Sequence, residues 1–110
     1  MKANEFVKKH GLESTKDIVK HYGNHTHVTE DARMFVTEKF YKETRANYAD
    51  DLNSMVKIAG LKRLVESHEL VEKLGGIEPA KCYAIDANAC GAFDDEIKIK
   101  QAIADVESCQ

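Results

Sequence analysis

Asp50–Gly76, DDLNSMVKIAGLKRLVESHELVEKLGG, is the stretch whose reading decides the fold. Its first part places Leu52, Met55, Val56 and Ala59 at i, i+3, i+4 and i+7, the spacing that lines one side of a helix. Its second part repeats the pattern with Leu61, Leu64, Val65, His68 and Val71. Counted at about 100° per residue through an unbroken helix, the two apolar sides point roughly 165° apart. Two arrangements satisfy this. In one, Gly60 interrupts the helix and turns the chain, since glycine costs about 1 kcal/mol relative to alanine inside a helix. In the other, one long helix buries opposite sides at its two ends and needs a body against each. A partner subunit or target then covers one end, which makes Leu61, Leu64, Val65, His68 and Val71 the candidate interaction surface.

Working outward, 110 residues suffice for one domain with its own core and are too few for two, so one helical domain over residues 1–110 is expected. With 43% hydrophobic and 32% charged residues, the chain falls outside the disordered and disulfide-scaffold classes. A net charge of −3 and a pI near 5.9 supply no basic field, so neither nucleic acid nor an anionic membrane is an expected partner. No apolar run approaches the ~18 residues of a membrane span, and the start, MKANEFVKKHG, lacks the apolar centre of a secretion signal. A cytoplasmic protein is expected. Cys82, Cys90 and Cys109 are odd in number and unevenly spaced, which fits reduced thiols.

Before the central stretch, Ala3–His10 reads as a helix with Phe6, Val7 and His10 on one side and Gly11 as its stop. Ser14 is placed to cap a second helix, with Asp17 in its first turn; this helix carries Ile18, Val19 and Tyr22 and stops at Gly23. Asn24–Val28 is a polar connection. Thr29, Glu30 and Asp31 read as a further helix start for Ala32, Phe35, Val36 and Phe40, while RMFVTEKFY also fits a short strand pair. Asn47–Asp51 forms the junction, with Asp50 or Asp51 as cap. After Gly75 and Gly76, Pro79 belongs in the first turn of a helix bearing Ala80, Tyr83, Ala84 and Ala87, which Asn88–Gly91 ends. Asp94 or Asp95 caps a last helix with Ile99, Ala102, Ile103, Val106 and Cys109 on one side. The fold expected is mainly α, a compact bundle of five or six short helices, with a short β-hairpin within 26–45 as the alternative there.

Candidate chemistry is sparse. His21, His25 and His27 form a His-x3-His-x-His run that would suit a zinc ion and a metal-dependent hydrolase, but Gly23 and Asn24 break the helical register and no HExxH glutamate accompanies it. No Cys-x2-Cys pair exists, and Cys109 reads as a small hydrophobe. His68, inside an apolar face, reads as a hydrogen-bonded core histidine. Two segments, EFVKKHGLESTKDIVKHYG and VEKLGGIEPAKCYAIDANACGAF, are spaced like helix-turn-helix units. The first has Val7 and Asp17 at positions that call for a small and an aliphatic residue. The second runs into Asp94, Asp95 and Glu96, where a reading helix needs cationic or amide side chains. No cofactor is implied.

LKRLVESHELVEKLGGIEPAK, with the ends MKANEFVKKHG and KQAIADVESC, resembles the small uncharacterised accessory proteins of lambdoid phages and prophages of enteric bacteria. The resemblance covers about half the chain and leaves out residues 24–50 and 82–95. It implies an accessory phage protein made in a bacterial cytoplasm, and such proteins are commonly small helical binders of host machinery. The function expected is therefore binding of a host or phage protein, or self-association as a homodimer, without catalysis. The alternatives are a small helix-turn-helix-like DNA-binding regulator and the metal-dependent hydrolase built on the histidine run.

Overall fold

Gly11 sets the first corner of the chain. In a computed structural model of the protein, which describes residues 2–44 and 48–110, helix α1 (Ala3–His10) ends there because Gly11 adopts φ +88°, a left-handed conformation that glycine reaches without steric cost. Its N–H closes onto the Val7 carbonyl at 2.8 Å. Its own carbonyl accepts the Thr15 N–H at 3.2 Å and the Thr15 hydroxyl at 2.9 Å, which starts α2 (Leu12–Tyr22). Ser14, read above as the cap, lies inside the first turn, and no side chain caps this helix. Phe6, Val7, Thr15 and Ile18 are buried along the inner sides of the two helices.

The segment after α2 follows the strand reading and then the helical one. Strand β1 (His27–Val28) pairs antiparallel with β2 (Phe35–Val36), His27 opposite Val36 and Val28 opposite Phe35. Thr29, Glu30 and Asp31 form the hairpin loop, not a helix start. The Asp31 carboxylate accepts the Thr29 hydroxyl at 2.6 Å and the Arg33 N–H at 3.1 Å, while the Met34 N–H donates to Thr29 Oγ1. Such local bonds let Asp and Thr hold a turn against the helix, and Ala32 sits at φ +62° within it. Helix begins only with α3 (Glu38–Thr44), whose first N–H donates to Thr26 Oγ1 at 2.6 Å. Asn47, at the expected junction, lies outside the described residues.

The central stretch is not one helix. Helix α4 (Tyr48–Asn53) carries Asp50 and Asp51 in its first turn, then gives way at Ser54, whose hydroxyl donates to the Asp51 carbonyl at 2.7 Å. Val56–Lys57 becomes β3 and pairs antiparallel with β1, Val56 opposite Val28 and Lys57 opposite His27, in the sheet order β2-β1-β3. The apolar side therefore switches at Ser54–Lys57, not at Gly60. Gly60 is an interior residue of α5 (Ile58–Lys73), which passes through it unbroken. A Cβ on Gly60 would stand 3.2 Å from the Ala3 Cβ, so the residue's role is to admit α1 at close range.

Contacts gather the chain into two units, residues 1–63 and residues 64–110, with the boundary inside α5. The core of the first contains Phe6, Val28, Val56, Ile58 and Leu61, all at most 2% exposed. The second is helical among its described residues. It holds the rest of α5, α6 (Ile77–Ala89) and α7 (Phe93–Ser108), and Pro79 occupies the first turn of α6 as its missing N–H allows. Asp94, Asp95 and Glu96 lie in the first turn of α7, where the helix dipole favours them, and are not its cap. Val71, Ala80, Ala102, Ile103 and Val106 form the core of this unit, with Leu70, Leu74, Ile77 and Ile99 against it. Seven helices and one three-stranded sheet are present among the described residues, a mainly helical fold with the short hairpin inside 26–45.

Candidate functional site

The five residues expected to form an exposed face are mostly interior. Leu61, Leu64, Val65 and Val71 are at most 6% exposed, so they serve as core and offer no docking surface. His68 is half-buried, and its Nδ1–H donates to the Leu64 carbonyl at 2.8 Å, one turn back along its own helix. The periodicity that singled out these positions was sound as a sign of burial. It did not distinguish the chain's own interior from a partner.

The histidine run disperses. His21 is exposed on α2, and His25 lies edge-on to Tyr22 and Phe35, at ring-centroid distances of 5.6 and 6.3 Å, with Nδ1 against Asn24 Oδ1. His27 is buried in the middle strand and places Nδ1 2.9 Å from Thr26 Oγ1. Burial, which disfavours the imidazolium, holds the His27 pKa below its ordinary value; Lys57 adds to this and Glu38 opposes it. Among the described residues no three His, Cys, Asp or Glu side chains come together to hold a metal ion. Cys82 and Cys90 are exposed, Cys109 is half-buried, and no disulfide joins them. No helix among the described residues is long and apolar enough to cross a membrane.

A concave surface that was not among the sequence candidates lies within residues 64–110. It is an open groove of about 420 Å³ between the end of α5, the outer side of α6 and the first half of α7. Leu70, Leu74, Ala87 and Ile99 supply apolar walls, with the half-exposed Tyr83 among them. Asp86, Asp95, Lys98 and Cys90 complete the lining. Small residues on α6 permit this shape: Ala80 and Ala84 are buried, so α6 sits close to the core while Tyr83 and Ala87 border the groove. At the end of α6, Glu96 accepts the Asn88 amide at 2.8 Å and pairs with Lys100 at 2.6 Å, fixing the turn into α7. The Lys100 bond first, and the Asn88 bond after it, keep the Glu96 pKa below the ordinary carboxylate value.

Charge is distributed unequally along the chain. Residues 64–110 contain four lysines against ten aspartates and glutamates, a formal net charge of −6. Residues 1–63 contain twelve lysines and arginines against nine acids, which gives +3. Of the four lysines in the C-terminal unit, Lys81 pairs with Glu78 and Glu107, and Lys100 pairs with Glu96. Neither Asp86 nor Asp95 has an ion-pair partner among the described residues. This asymmetry was readable from the chain, yet it only acquires meaning once the boundary inside α5 is known.

No known protein family, curated protein or solved structure matches the chain.

Proposed function

We propose that the protein works by binding another protein, without catalysis, and that the groove of residues 64–110 is where the partner docks. The observation that carries this reading is the apolar groove itself. Leu70, Leu74, Ala87 and Ile99 line a concave surface with the half-exposed Tyr83 among them, the kind of surface that aromatic and aliphatic anchors fill in protein interfaces. The resemblance of residues 61–81 and of the two ends to lambdoid phage proteins supports an accessory role in a bacterial cytoplasm, on host or phage machinery. The acidic first turn of α7, with Asp94, Asp95 and Glu96, argues against the DNA-binding alternative, because phosphates would meet like charge there.

Affinity capture from an enteric bacterial lysate tests the reading. The bait is wild-type protein compared with Tyr83→Ala and Ala87→Arg, both outside the buried core. A partner retained in stoichiometric amount by wild type and lost from both variants, with their helical dichroism unchanged, is the expected result. Identical retention by all three proteins, or none by any of them, overturns it.

A further inference from the structure

We infer that the occupant of this groove is an amphipathic helix with aliphatic anchors on one side and lysine or arginine on the flank. The inference rests on the docking reading above and adds the conformation and charge of the partner segment. Conformation follows from hydrogen bonding. The groove is lined mainly by the sides of three α-helices, whose backbone N–H and C=O groups are already paired along the helices, and in the adjoining turns the N–H groups of Leu74, Cys90 and Ala92 donate to the Leu70, Asp86 and Ala87 carbonyls. An extended peptide laid in an apolar groove would bury backbone groups with nothing to receive them, whereas a helix satisfies its own.

Charge follows from the rim. Asp86 and Asp95 stand at the groove without ion-pair partners among the described residues, within a unit of net charge −6. A cationic flank meets complementary charge there, and an acidic one meets repulsion. Lys98, also at the groove, is the single opposing charge in its lining, so the two aspartates set the sign.

Two fluorescently labelled 18-residue peptides test this, each with leucines along one side of a helix, one carrying lysines and the other glutamates on the polar side. Anisotropy titrations against the full-length protein are expected to show the lysine peptide binding about tenfold more tightly than the glutamate peptide. The double variant Asp86→Asn, Asp95→Asn is expected to weaken the lysine peptide about fivefold and flatten its salt dependence. Two central prolines in that peptide are expected to abolish binding. Equal binding of the two peptides, or an unchanged affinity in the double variant, overturns the inference. So does a protein dimer, seen by light scattering, that the Ala87→Arg variant dissolves, because a second copy then fills the groove. If a lysate partner depends on Tyr83 and Ala87 while the peptides show no charge preference, only the occupant is wrong. If Ala87→Arg affects neither partner nor peptide, the docking reading falls with it.

Discussion

Ser67 and Asp105, 38 positions apart, are joined by a 2.7 Å hydrogen bond in the interior of the C-terminal unit, the Ser67 hydroxyl donating to Asp105 Oδ2. The second carboxylate oxygen accepts the Gln101 side-chain amide at 3.1 Å. A carboxylate that is 7% exposed depends on such donors, since a buried acceptor left unmet loses its hydration without replacement. Ser67→Ala is expected to lower unfolding free energy by about 1–3 kcal/mol in urea titrations. A cycle with Asp105→Ala should reveal coupling between the two sites of at least ~0.5 kcal/mol. Additive effects would mean that the bond contributes nothing.

His27 makes stability depend on pH. Its imidazole binds a proton more weakly in the fold than in the unfolded chain, chiefly because it is buried. Its contribution is complete above the ordinary histidine value of 6.5 and is lost as pH falls through that value toward the lower folded one. Thermal melts from pH 8 to 5 should show wild type losing stability in that window and His27→Gln losing less. Parallel curves would exclude His27 as the cause.

Gly60 and Ala3 test the close approach of α1 to α5. Alanine is favoured over glycine inside a helix by about 1 kcal/mol, but here its Cβ meets the Ala3 Cβ at 3.2 Å. Gly60→Ala alone should therefore gain less than that amount. Made in an Ala3→Gly background, the same change should be more favourable by about 0.5 kcal/mol or more, because the obstructing methyl is gone. Equal effects in both backgrounds would mean that the contact is not felt.

Helix α7 carries apolar residues on more than one side. Ile103 is 8% exposed in the core, and Ile97 is 65% exposed. Ile103→Ala should cost about 2–4 kcal/mol through lost burial and the cavity left behind, and Ile97→Ala less than about 0.5 kcal/mol in the isolated chain. Chemical denaturation of the two variants decides this. A comparable loss at Ile97 would show that its side chain is covered in solution.

Local signals in the sequence carried most of the helices. Gly11 as a stop, Pro79 in a first turn, and the inner face of Ile99, Ala102, Ile103 and Val106 all follow from chemistry within a few residues, and the fold places them accordingly. Met55, Val56 and Ala59 misled because helical spacing over so short a run also occurs where a strand adjoins a helix. What makes Val56–Lys57 a strand is β1, about thirty positions earlier, which no window on the central stretch contains. Thr29 and Asp31 illustrate the same difficulty from the other side: residues that cap helices also close turns. The groove was invisible for a related reason. Leu70, Tyr83 and Ile99 lie on three different helices, and only folding makes them neighbours.

The pairing of β3 with β1 also imposes an order of events on folding. Helices α1, α2, α6 and α7 need only near neighbours to start, on a timescale of about a microsecond, whereas Lys57 must find His27 across the intervening chain before the middle strand is flanked on both edges. The amide of Ile58, which donates to the Thr26 carbonyl at 3.0 Å, reports that closure. In pulse-labelling with deuterium it should gain protection after the amides of α6 and α7, marking the moment when the N-terminal half ceases to be a string of helices and acquires its sheet.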